Sequence, residues 1–147
     1  MKSFKYAVLI FLLTIVSIAC ESEEHKHFRE SCRSLEIRII PEVKANWRKH
    51  LRKALLREKG NDQIYYYFKD IISKPDSILE IYVDEKKINQ WEHNVSDHPG
   101  MPGVYSAVLT RFFHEKNEYG QMGDFTIRFS KSGVGNWRII DYELGVL

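Results

Sequence analysis

Two charges stand inside otherwise apolar strand patterns. In "YSAVLTRFF" alternation puts Tyr105, Ala107, Leu109, Arg111 and Phe113 on one face, and in "WRIID" it puts Trp137, Ile139 and Asp141 on one face. If these are the inner faces, Arg111 and Asp141 enter the concavity of a sheet. An unpaired buried charge is very costly, so each must pair there or meet a ligand. Arg111, Asp141, Tyr105 and Trp137 are therefore the candidate pocket-binding residues. With the faces reversed, Arg111 and Asp141 simply meet water. No nucleophile–base pair or metal set accompanies them, so no catalytic residue is assigned.

Six histidines invite a metal reading. His25 and His27 form an HxH pair near the N-terminus, and His93 and His98 flank Asp97. A zinc site needs about four converging ligands, and these spacings match none of the established patterns. No metal and no cofactor is expected. Asn94-Val95-Ser96 has the form of a glycosylation acceptor, and coincidence accounts for it as well.

The segment "EVKANWRKHLRKALLREK", residues 42–59, carries seven basic and two acidic residues. Lys44, Arg48 and Arg52 share one helical face. Such a face is attracted to anionic headgroups, or is a solvated face whose charges complement the helix dipole. The whole chain has 22 basic and 20 acidic residues. Removing Lys2 and Lys5 leaves a neutral remainder, which argues against a nucleic-acid binder.

The N-terminus sets location. Lys2 and Lys5 precede an apolar run from Tyr6 to Ala19, interrupted only by Thr14 and Ser17. The run is short of the roughly 20 residues that span a bilayer, and it matches the basic and apolar regions of a secretory signal peptide. Ser17 and Ala19 offer small residues for ordinary cleavage. Ser17-Ile18-Ala19-Cys20 also resembles the lipobox of bacterial lipoproteins, with Ala19 and Cys20 in place and Ser17 and Ile18 departing from the commonest pattern. That resemblance implies lipidation of Cys20. Each buried methylene of an acyl chain is worth about 0.8 kcal/mol, and two or more chains anchor stably. Residues 1–19 are then the signal peptide, 20–26 a tether and 27–147 a single domain facing water. Cys32 becomes a lone thiol, buried as a small hydrophobe. Were Cys20 free, pairing with Cys32 would need the tether to fold back, because a helix holds residues 12 apart about 18 Å from each other.

The elements follow from periodicity. Phe28, Cys32, Leu35, Ile39, Val43, Trp47, Leu51 and Leu55 recur at steps of three or four, an amphipathic helical stripe. Pro41 breaks it, so a kink near Ile40 or two helices over 25–39 and 42–58 is expected. Gly60, Asn61 and Asp62 punctuate the start of a second helix, "QIYYYFKDII", ending near Ser73. Three consecutive tyrosines cannot all be buried on a helix. Beyond Pro75 the period becomes two. "SILEIYVDEKK" reads as a first strand, "INQWEHNVSDHPGMPG" as an irregular insert with room for a short helix or strand at its start, and "VYSAVLTRFFHEK", "GDFTIRFSK" and "NWRIIDYEL" as three hairpin-linked strands. Helices followed by strands indicate an α+β fold, with N-terminal amphipathic helices packed on a curved, mainly antiparallel sheet.

"LREKGNDQIYYYF" is similar to the helix–Gly–Asp–helix start of NTF2-like (cystatin-like cone) domains, and "GNWRIIDYEL" to their last strand. The resemblance covers most of residues 42–147, and the Pro-Gly insert and longer N-terminal helix depart from it. It implies an apolar pocket in the sheet and, for some members, acid–base work by Asp, His or Arg. It also implies dimers through exposed sheet faces. The expectation is an exported lipoprotein of the bacterial cell envelope, facing the periplasm or the surface. It would be held by acyl chains on Cys20 and would bind a small apolar ligand or another envelope protein without catalysis. The alternatives are an NTF2-like isomerase or hydrolase using Asp141, and an interaction protein with a filled core.

Overall fold

The computed structural model describes residues 22–147, apart from 81, 84–85 and 88–90; of 82–83 and 86–87 only the backbone is described. Residues 1–19, expected to be a signal peptide, and Cys20 lie outside the described residues. Ser22 caps the first helix, α1 (Glu23–Ser34), its hydroxyl accepting from His25 N, with Glu23 and Glu24 in the first turn. Residues 23–26, read from sequence as tether, are thus already helical.

Helix α1 runs with helical backbone angles at each junction into a π-turn, Leu35–Ile39, and then into α2 (Ile40–Ala45). Proline 41 explains the π-turn. Its nitrogen cannot donate to the preceding turn, and the helix absorbs this by widening, with Ile40 N donating to Leu35 O. The kink expected near Ile40 is this wider turn, and all caps around it keep right-handed helical angles. The actual break comes at Asn46, at φ −110°, before α3 (Trp47–Leu55). Asn61 then caps α4 (Asp62–Ser73), and a single turn, α5 (Asp76–Leu79), replaces the start of the expected first strand. What remains of that strand is a two-residue ladder of β1 (Tyr82–Val83) with β2 (Lys86–Lys87).

The main sheet is an open antiparallel meander of β3 (Trp91–Asp97), β4 (Val104–Phe113), β5 (Gly123–Ser132) and β6 (Arg138–Val146), in that spatial order. Strand β3 lies in the segment read as irregular. Its polar residues are exposed at the sheet edge, so it lacks an apolar alternation. Helices and sheet form an α+β fold.

The helical stripe lies on one sheet face. Leu35, Val43, Trp47 and Leu51 pack with Phe68 and Ile71 of α4 against Leu109, Phe113, Phe125, Ile127 and Phe129. Each fully buried side chain of this size contributes about 1.5–3 kcal/mol. Ile40 is buried and Ile37 exposed, because the π-turn rotates the stripe by part of a turn. Gly123 lets α4 come close: a Cβ there would collide with the Tyr67 ring.

Candidate functional site

Strand β4 alternates as its sequence indicates. Tyr105, Ala107, Leu109, Arg111 and Phe113 are all buried. Arg111 is only 3% exposed. Its guanidinium lies 4.5 Å from the Trp47 ring centre, 5.0 Å from Phe113 and 5.5 Å from Trp91. Burial lowers its pKa, the carboxylates of Asp76, Glu80 and Glu115 oppose that shift, and Arg48 adds to it. Its Nε has no hydrogen-bond partner among the described residues. Arginine suits such a box because its planar cation stacks on rings and is weakly hydrated. Arg48 also lies over the Trp47 ring, at 4.4 Å. Arg48 is committed elsewhere too, donating to Ile72 O, Lys74 O and the Asp76 carboxylate just past the end of α4. It is a structural cation closing that helix rather than part of a free basic face.

Tyr105 and Trp137 sit at the other end of the strands. Six residues along β4 separate Tyr105 from Arg111, roughly 20 Å of extended chain. The Tyr105 hydroxyl bonds His27 Nδ1 at 2.8 Å, and its ring meets Phe28 at 5.2 Å. Trp137 Nε1 donates to Ser31 O at 3.0 Å. Lys131 Nζ donates to the Ser31 hydroxyl at 2.9 Å. A serine beside a lysine has the atom types of a nucleophile and base. Here, however, the hydroxyl is buried and donates its own proton to His27 O at 2.8 Å. These bonds knit α1 to the sheet.

Asp141 is not on the buried face with Trp137. Phe129 pairs with Ile139 and Arg128 with Asp141, so Ile140 is an extra residue, a β-bulge. One extra residue transfers all later side chains to the opposite face. Tyr142 and Leu144 turn inward, opposite Ile127 and Phe125, while Asp141 is exposed and ion-paired to Arg57 at 2.8 Å. Arg111 and Asp141 therefore do not enter one concavity together. Of the four candidate residues, Tyr105 and Trp137 share one end, Arg111 has an aromatic box of its own, and Asp141 lies on the outer face.

A cleft of about 530 Å³ lies elsewhere, between α4 and the β4–β5 connection. Tyr66 and Tyr119, 63% and 75% exposed, stand on its walls. Asp62, Asp70, Glu115 and Glu118 bring four acids against Lys74 and Lys116, and Lys74 is bonded to Asp70 at 2.8 Å. The loop wall is set before any ligand arrives. Asn117 Oδ1 accepts from Tyr119 N at 3.0 Å and Gln121 N at 2.9 Å, and its amide donates to Gln121 Oε1 at 2.9 Å. Gly120, at φ 75°, supplies the left-handed corner. The buried Tyr67 hydroxyl donates to Glu115 O at 2.8 Å, tying the loop to α4, and burial raises its pKa. The "YYY" run carried the signal for this site: Tyr67 is buried, Tyr65 half-buried, and Tyr66 faces the cleft. The acids and Tyr119 come from a separate hairpin, and only the fold brings them to Tyr66.

No group of three potential metal ligands occurs among the described residues. His25 bonds Ser22, His93 faces Glu36 at 3.3 Å and His98 faces Ser106 at 3.1 Å. Among the described residues, no helix is long and apolar enough to cross a membrane. Compared with protein-family models, with characterised proteins and with solved structures, the chain matches none.

Proposed function

We propose that this chain is a non-catalytic binding module of the cell envelope, exported by residues 1–19 and anchored by acyl chains on Cys20. On this proposal it contacts another envelope protein through the cleft between α4 and the β4–β5 loop. The observation that carries the contact site is the pair of exposed tyrosines, Tyr66 and Tyr119, on walls already held by hydrogen bonds. Tyrosine offers a large amphipathic contact area at low entropy cost, and a loop ordered in advance reduces the entropic cost of association. The acid excess selects a partner segment that presents basic side chains, which tyrosine rings also attract.

The geometry favours this over a small apolar ligand. The inner face is packed by helical side chains, and the candidate cleft is open to solvent and edged by charged side chains. A likeness to NTF2-like domains belongs to the same proposal, supported by helices laid on an antiparallel sheet. So does a homodimer through the outer sheet face, where Val108, Phe112 and Ile140 lie. An enzyme using Asp141 has less support, since that carboxylate is exposed and engaged with Arg57.

Native mass spectrometry of the protein taken from its own membrane fraction tests both halves. Residues 20–147 plus acyl chains are expected, together with a retained protein subunit that Tyr66→Ala/Tyr119→Ala releases. An unacylated chain would remove the anchor. A retained subunit indifferent to the two tyrosines would remove the site.

A further inference from the structure

Past Asn46, one helical face gathers positive charge around apolar surface. A groove of about 360 Å³ between α3 and α4 has Leu56, Tyr65 and Ile72 on its floor and Arg52, Lys59 and Lys69 on its rim. Leu56 is 66% exposed. Lys49, Arg52, Lys53 and Leu56 recur at three- and four-residue steps and are all exposed, so they continue the rim along α3. From 49 to 59 the chain has five basic residues and one acid, the half-buried Glu58. Arg57 is taken by Asp141. Lys49, Arg52, Lys53, Lys59 and Lys69 have no ion pair among the described residues, and Lys69 lies over the Tyr65 ring at 5.9 Å.

We infer that this α3–α4 face docks on an anionic lipid bilayer, with Leu56 and the Tyr65 ring entering the headgroup boundary and the lysines and Arg52 meeting lipid phosphates. Charge complementarity selects this occupant. Three cations line an apolar groove and two more continue along α3, and an anionic membrane presents phosphates above hydrocarbon in the same order. The long lysine and arginine stems permit apolar contact while the charged ends reach the phosphates. The inference stands apart from the tyrosine cleft, which is lined by different residues. It also stands without acylation, since docking of the face needs no covalent lipid.

The test uses the full chain with phosphatidylcholine vesicles and with phosphatidylcholine vesicles containing phosphatidylglycerol. The ratio of the two binding constants is the readout, so an apolar contribution from residues 6–19 cancels, and Lys2 and Lys5 contribute equally to every variant. Each basic residue near such a surface contributes about fivefold in binding, so R52Q/K59Q/K69Q should lower the ratio on the order of a hundredfold. The preference of the parent should also fall as salt rises. The variant R33Q/R38Q/R138Q removes the same charge from other surfaces and should leave the ratio within about threefold of the parent. Leu56→Gln should weaken binding to anionic vesicles with the salt dependence unchanged. An equal loss in both triple variants would mean unspecific charge attraction and would overturn the inference. So would a parent with no anionic preference, or a groove variant that retains it. All positions in the two triple variants are exposed, and circular dichroism checks that each variant keeps its fold.

Discussion

Replacing Arg111 separates the parts of its environment. Three aromatic rings hold the guanidinium at 4.5–5.5 Å. Desolvated cation–π contacts are worth about 2 kcal/mol at best and less when shared, so three rings return roughly 3–5 kcal/mol. Taking the cation out of water costs several kcal/mol, and a buried Nε–H lacking a partner costs about 1–3 kcal/mol more. The terms nearly cancel. Arg111→Met fills similar volume with a thioether that also favours rings, so its stability should lie within about 1 kcal/mol of the parent. Arg111→Lys keeps the charge but loses the planar stack and is more strongly hydrated; it should lose at least about 2 kcal/mol. Arg111→Ala should lose about 2–4 kcal/mol through lost packing and the space left between the rings. Urea unfolding at neutral pH measures all three, with unchanged slopes showing a common unfolding reaction. A loss of 3 kcal/mol or more in Arg111→Met would refute the reasoning. It would mean that attraction to Asp76, Glu80 and Glu115, rather than the aromatic box, holds the site together.

Gly123→Ala should cost about 1–3 kcal/mol or more, because the added methyl meets the Tyr67 ring; the thermal midpoint reports it. His50 is buried with its Nδ1 against the Tyr142 hydroxyl at 2.8 Å, and burial lowers its pKa below the ordinary value of 6.5. Below pH 6.5 the unfolded chain therefore takes up a proton that the folded chain refuses. The His50 contribution is complete above pH 6.5 and declines as pH falls, and His50→Gln should flatten the denaturation midpoint between pH 5 and pH 6.5 by about that share. Asp141→Ala should change stability by no more than about 1 kcal/mol, because its pair with Arg57 is solvent-exposed; a larger loss in urea unfolding would assign the pair a structural role that its exposure does not suggest.

The strands β4 and β5 were legible because one face of each is buried and a period of two records it. The same logic grouped Arg111 with Tyr105, Leu109 and Phe113 and left open which face is inner; the structure buries that face. That logic failed at Asp141 because a bulge at Ile140 leaves no mark in an alternation that reads "WRIIDYEL" equally well in two registers. Edge strand β3 was hidden for another reason: His93, Asn94, Ser96 and Asp97 face water, so pairing with β4 defines the strand and apolar pattern does not. Pro41 announced a disturbance, and the choice between a kink and a π-turn depended on the helix keeping both halves of its stripe on one sheet. Arg48 and Arg52 lie one turn apart and read alike in sequence. The end of α4 claims the first and leaves the second at the groove.

The claim that the tyrosine cleft is the contact site is tested most directly by photocrosslinking in the source cells. A photoreactive phenylalanine analogue placed at Tyr119, and separately at Val134 on the β5–β6 turn, compares the cleft with a fully exposed position outside it. A discrete protein adduct at 119 that is absent at 134, and that is lost with Tyr66→Ala, is the predicted result. No adduct at 119, or the same adducts at both positions, would contradict it.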